Sequence, residues 1–287
     1  MLTVYAPAKV NIVLEVLGKS ADLHHVISIL QTINLCDVIE FRLAKDISFK
    51  CNESSLQHNN IVEKAAGLLK NAAGCTKGAK IELCKNIPWG AGFGGGSSDA
   101  ASTLLALNQL WSLNLPIDNL IRLASQLGSD VPFFLRGGTA LVEGSGEKVT
   151  PLLPLCPILF VLLMPPVFKI QNKTRRLYSE LYDKYFTKGE FVSVALSNLS
   201  HKRMIDPPLM FNVFEKIAFD FFPRLAEYKQ VFQRTGASSV HLAGSGPGLF
   251  TTMADEGQAR KLCSDLINEG LESYVVTSLP AKILNYH

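Results

Sequence analysis

At 287 residues and 47% hydrophobic content, the chain is long enough for two packed domains of ordinary size. Its 28 basic and 25 acidic residues leave a net charge of +3 with no polybasic face and no basic run interleaved with aromatics, which argues against a nucleic-acid partner. The six cysteines are scattered without a Cys-x-x-Cys pair, against zinc and a disulfide framework and in keeping with a reducing cytoplasm, and no charged leader precedes an apolar core at the N-terminus, so neither secretion nor organelle import is signalled.

In chain order, residues 2–5 and 9–16 read as strands separated by Ala6-Pro7-Ala8, and 38–43 and 47–51 as further strands. Residues 60–73 have helical spacing, with Ile61, Ala65, Leu68 and Leu69 on one side. A short strand at 81–84 leads into a glycine run, followed by helices over 97–111 and 117–127, the second with Asp118 as a cap. Asp130 then falls between a helix end and a hydrophobic strand. The most apolar stretch, 151–168, is broken by four prolines; its uninterrupted part, 158–164, is far short of the roughly twenty residues a bilayer requires, so it reads as a buried strand and not a membrane span. Helices over 173–185, 209–222 and 258–269 and strands over 239–242, 249–253 and 274–278 follow. That alternation predicts an α+β protein whose second half is a ferredoxin-like layer. The proline-rich segment near Leu155 divides the chain into 1–155 and 156–287.

The glycine run is Ile87-Pro-Trp-Gly-Ala-Gly-Phe-Gly-Gly-Gly-Ser-Ser-Asp-Ala-Ala101. Gly90, Gly92, Gly94, Gly95 and Gly96 lack a Cβ and can turn backbone N–H groups onto an anion, and the following helix adds its positive end. No lysine follows the last glycine, which rules out a Walker A loop. Gly90, Gly92 and Gly95 match Gly-x-Gly-x-x-Gly, but no βαβ unit with an acidic residue about twenty positions on accompanies them, against a dinucleotide fold. The loop predicts a bound polyphosphate.

Phosphoryl transfer needs charge stabilisation and a base for the acceptor hydroxyl. Lys9, flanked by Ala8 and Val10, and Asp130, in Gly128-Ser-Asp-Val-Pro-Phe-Phe134, are charges set among apolar neighbours. Taken singly, one is a strand lysine with its head in water and the other a turn aspartate. Beside a phosphate loop they are expected to form one site, the ammonium keeping the carboxylate ionised. Gly244-Ser-Gly-Pro-Gly248 is either a second wall of that cleft or a plain hairpin turn. His24-His25 alone reads as solvated surface.

Pro7-Ala8-Lys9-Val10-Asn11, residues 88–98 and Gly244-Ser245-Gly246, in that order, resemble the three motifs of the GHMP small-molecule kinases. Gly128-Ser-Asp-Val-Pro-Phe-Phe-Leu-Arg-Gly-Gly-Thr-Ala140 and Glu143-Gly-Ser-Gly-Glu147 narrow the likeness to the branch whose acceptor is a cytidine-diphosphate-linked methylerythritol. The resemblance implies two domains, a ribosomal-protein-S5-like ATP-binding domain and a ferredoxin-like one, with ATP and Mg2+ as cofactors. It implies Asp130 as general base and Lys9 as its electrostatic partner. Pro88, Trp89, Gly90, Ala91, Gly92, Phe93, Gly94, Gly95, Gly96, Ser97 and Ser98 would hold the triphosphate, with Ser97 or Ser98 near the magnesium, and Asn60 and Lys85 would flank the adenine. Asn11, His24, His25 and Thr174 would face the substrate, and Tyr178 falls on the helix after the apolar strand. Where the family carries Asp-Gly-Tyr-His this chain has Asp22-Leu23-His24-His25, so Leu23 stands in place of a base-stacking tyrosine. The reading implies a cytoplasmic enzyme, a monomer or weak homodimer, acting on a small molecule with no nucleic acid or membrane. Its rivals are a GHMP kinase for homoserine, mevalonate or a sugar, and a non-catalytic metabolite binder of the same fold.

Overall fold

A computed structural model describes residues 1–20, 23–167, 170, 173–203 and 206–281. The chain opens with two long antiparallel strands, β1 (Leu2–Ser20) and β2 (Leu23–Ala44), on which the rest of a seven-stranded sheet is built. β3 (Ser48–Cys51) and β4 (Gly78–Cys84) extend it beyond one half of β2, and the hairpin of β5 (Thr139–Gly144) and β6 (Lys148–Pro151) pairs with the other half. Helices α1 (Ile61–Ala72), α2 (Gly95–Leu110), α3 (Ile117–Leu127) and the single turn α4 (Val131–Phe134) cover one face.

The expected break at Ala6-Pro7-Ala8 is a bulge within one continuous strand: the register shifts between Pro7 and Ala8 and again between Asn11 and Val13. Proline lacks the N–H a ladder needs and is tolerated where the ladder is interrupted. Lys9 lies between the two irregularities and shares a face with Asn11, while Ala8, Val10 and Ile12 are fully buried on the other side. The first half of β2, which includes His24 and His25, did not read as a strand because residues 28–33 are buried on both faces and show no alternation. Asp22 lies outside the described residues.

Past β7 (Leu159–Met164) come α5 (Lys173–Ser179), α6 (Glu190–Lys202), β8 (Phe211–Asn212), α7 (Glu215–Phe221), α8 (Leu225–Thr235), β9 (His241–Leu242), β10 (Leu249–Met253), α9 (Glu256–Asn268) and β11 (Glu272–Thr277). Their four-stranded sheet runs β11-β7-β10-β9, so the apolar stretch is an inner strand. Among the described residues no helix is long and apolar enough to cross a membrane. Four expectations are corrected. Residues 131–134 form a helical turn opened by Pro132, not a strand; the helix expected over 173–185 ends at Ser179, with a single 3-10 turn at Asp183–Tyr185; 209–222 splits into β8 and α7; and Asp118 lies in the first turn of α3, whose cap position is Pro116.

The two sheets are not separate bodies. Ala8, Val10, Ile12, Ile29 and Ile33 pack with Phe160, Leu162, Phe250 and Val276 in one buried cluster, and β8 pairs in parallel with β1 at Val13 and Leu14. This seam fixes the cleft in which the candidate residues meet.

Candidate active site

The glycine run enters α2 through Gly94, which takes the cap position at φ +76 and leaves the N–H groups of the first turn unused within the helix. Two close approaches require glycine. A Cβ on Gly94 would stand 2.9 Å from Lys9 Cγ, and one on Gly92, at φ +97, would stand 1.9 Å from the carbonyl oxygen of Ala243. The second glycine turn therefore docks backbone to backbone on the first, with Gly248 N donating to Ala91 O at 2.9 Å. Composition left this turn open between cleft wall and plain hairpin; Gly244 and Ser245 line the cleft.

The loop separates two cavities that share Gly90, Gly92, Gly94, Gly95 and Gly96. The smaller, about 300 Å³, is bounded by Asn60, Lys85, Pro88, Trp89, Ala91, Phe93 and Asp99. The larger, about 800 Å³, holds Lys9, Asn11, His24, Ser97, Asp130, Lys173, Thr174 and Tyr178. An anion laid along the loop reaches both.

Lys9 and Asp130, 121 positions apart in sequence, meet in the larger cavity with Nζ 3.4 Å from Oδ2. The lysine is only 3% exposed. Its backbone N donates to Phe93 O at 2.9 Å, and its ammonium donates to Asn11 Oδ1, whose amide in turn donates to Ser28 Oγ. The ammonium is therefore aimed and not free to swing, while the Asp130 carboxylate stays open to the cavity. Together they can take a proton from a hydroxyl and stabilise charge beside it.

Lys85 has a different setting. Its ammonium lies between the carboxylates of Asp37 and Asp99, with all three side chains nearly excluded from solvent. Burial acts to lower the Lys85 amine, and the two carboxylates outweigh it and raise it; burial pushes the Asp99 carboxyl up. Asp37 Oδ1 also accepts the N–H groups of Asn86 and Ile87, at 2.6 and 2.8 Å, so this cluster anchors the chain where it enters the glycine run. Asn60 spends its side chain capping α1, accepting from Val62 N and donating to Leu56 O. Ala91 and Phe93 are buried in the core, as is Ser98, whose Oγ has no partner among the described residues, whereas Ser97 faces the larger cavity.

At the far end of that cavity His24 stacks on Tyr178, ring centroids 4.6 Å apart. Burial, then Lys19 and His25, hold the His24 imidazole below its ordinary range, and burial with Asp130 pushes the Tyr178 hydroxyl up. His25 points the opposite way along the strand, to Ser20 Oγ at 2.7 Å on the exposed side, and Leu23 is 60% exposed. Thr174 Oγ1 lies 3.0 Å from Ser245 Oγ, tying α5 to the second glycine turn.

Sequence reasoning missed the residues that aim others. Asn212 donates to the carbonyls of Leu242 and Gly244 and so sets the second turn against β1; its signal, a polar residue in an apolar run, is weak. Asp37 and Asp99 act across 48 and 14 positions from Lys85, separations no local pattern reveals.

Comparison with known proteins matches residues 60–138 to the model for the GHMP kinases N terminal domain and residues 196–272 to that for GHMP kinases C terminal. A 4-diphosphocytidyl-2-C-methyl-D-erythritol kinase from Dehalococcoides mccartyi is 41% identical over 97% of this chain and 99% of its own length. One from Pelotomaculum thermopropionicum is 37% identical over 92% and 93%. The crystal structure of a 4-(cytidine 5'-diphospho)-2C-methyl-D-erythritol kinase superposes with a TM-score of 0.80 at 32% identity, covering 96% of this chain and 98% of that one. A homoserine kinase from Cytophaga hutchinsonii, at 19% identity and a TM-score of 0.70, shares the fold.

Proposed function

The chain belongs to the GHMP kinases and within them to the 4-diphosphocytidyl-2-C-methyl-D-erythritol kinases, and on that footing we propose that it transfers the γ-phosphoryl group of ATP to the 2-hydroxyl of 4-diphosphocytidyl-2-C-methyl-D-erythritol, a step toward isoprenoid precursors in the cytoplasm. The observation that carries the reading is the Lys9–Asp130 pair at the mouth of the glycine loop.

In this account the triphosphate lies on the N–H groups at the start of α2, whose dipole favours the anion. The adenosine extends toward Asn60, Pro88 and Trp89 in the smaller cavity. The cytosine of the acceptor rests against the His24 and Tyr178 rings, which supply the flat apolar surface that Leu23 does not. Thr174 and Asn11 border the polyol between them.

Asp130 accepts the hydroxyl proton as the oxygen attacks the γ-phosphorus. The bond to the β-phosphate oxygen breaks and ADP leaves. Lys9 keeps Asp130 ionised and faces the charge that builds on the phosphoryl oxygens. Magnesium fits the donor set, because the Ser97 hydroxyl beside a phosphate loop is the sparse protein ligation this ion accepts when phosphates and water complete its shell. When bound, it neutralises phosphate charge.

A coupled ADP-release assay with the cytidylyl acceptor, homoserine and mevalonate tests the reading. Turnover at least a hundredfold faster with the cytidylyl acceptor is expected; equal or faster turnover with homoserine or mevalonate would reassign the acceptor.

A further inference from the structure

Lys173, the first residue of α5, stands between the two glycine turns. Its Nζ donates to Gly90 O of the first at 2.8 Å and to the Gly246 carbonyl of the second, and its side chain lines the larger cavity with Lys9, Ser97 and Asp130. The other two lysines of the site have counter-charges, Lys85 two carboxylates and Lys9 one. Lys173 makes no ion pair among the described residues; carbonyl oxygens alone receive it. Burial, and then the charge of Lys9, push its amine down to about 7. An ammonium taken from water without a counter-charge is costly, and an anion reverses both effects.

We propose that Lys173 binds the phosphoryl group in transit, presenting from the second half of the chain an ammonium that faces the same oxygens as Lys9. This rests on the kinase reading above. Phosphoryl transfer spreads charge over three equatorial oxygens, and two cations fixed on different elements hold that charge better than one. Lys173 keeps its proton throughout, since the hydroxyl proton goes to Asp130 and the leaving oxygen departs with ADP.

Lys173→Gln removes the charge and keeps an N–H donor on a slightly shorter side chain, and Lys173→Arg restores the charge. ATP and AMP affinities are measured by calorimetry, turnover with the cytidylyl acceptor by ADP release, and folding by thermal melting. The Gln variant should melt like the wild type, bind AMP within twofold, bind ATP at least tenfold more weakly and turn over at least thirtyfold more slowly, with Arg recovering most of both losses. ATP affinity and turnover within twofold of wild type in the Gln variant would overturn the proposal. So would AMP affinity falling as far as ATP affinity, or a Gln variant that does not fold, since either assigns Lys173 to holding the turns together. The binding arms need no turnover, so a wild type that transfers no phosphate to the acceptor refutes the kinase reading separately.

Discussion

The site is decided by which charges are left a task by their neighbours. Lys9 and Asp130 were legible in the sequence because Lys9 interrupts an apolar strand and Asp130 stands between a helix end and an apolar run, and a charge held there has a partner or a function. Asp130→Asn removes the proton acceptor and keeps the shape, so turnover should fall by roughly 10² to 10⁴ with ATP affinity retained, as single-turnover kinetics and calorimetry would register. Lys85 is a different case: the family resemblance sets it beside the adenine and it lines the smaller cavity, but its charge is matched internally by Asp37 and Asp99, partners that only the fold brings near. Lys85→Met strands two buried carboxylates and should cost about 3 to 5 kcal/mol in urea unfolding. The aromatic wall was only half legible, since Leu23 announced a missing ring whereas the stacking of Tyr178 on His24 joins residues 154 positions apart. Tyr178→Ala should raise KM for the acceptor about tenfold, in line with a stacking contribution of about 1 to 3 kcal/mol, and leave KM for ATP unchanged.

Among the elements, those with a one-sided environment were the readable ones. α1 and α3 follow their patterns because one face meets a core and the other meets water. The first half of β2 is covered on both faces, and the hairpin of β5 and β6 is short, so neither carried a clean period. α6 owes part of its placement to a distant residue, since the buried Glu15 carboxylate of β1 accepts Val192 N in its first turn. The glycine loop was visible from composition; its docking on the second turn was not, because the approach of Gly92 to Ala243 is backbone against backbone. Gly92→Ala forces a side chain into that contact at a positive φ, and should cost at least about 2 kcal/mol and weaken ATP binding, read by denaturant unfolding and calorimetry.

At the scale of the molecule, the proline-rich segment near Leu155 suggested two units, and an apolar seam and a parallel strand pair join what lies on either side of it. Residues 1–155 expressed alone would leave Ile12, Ile29 and Ile33 exposed and β1 without β8. That fragment is expected to aggregate or show no cooperative melt, and a sharp transition with a monomeric elution would show that the seam is dispensable. The joined sheets also explain how a carboxylate and an ammonium from the first half, an aromatic ring from α5 and a glycine turn before β10 face one cavity. The most direct test is ³¹P NMR of the protein with ATP, Mg2+ and 4-diphosphocytidyl-2-C-methyl-D-erythritol. The account predicts one new phosphomonoester on the tertiary C2 oxygen for each ADP formed, and the same ester at least about a hundredfold more slowly with Asp130→Asn; ADP without that ester, an ester on another hydroxyl, or undiminished turnover in the variant would contradict it.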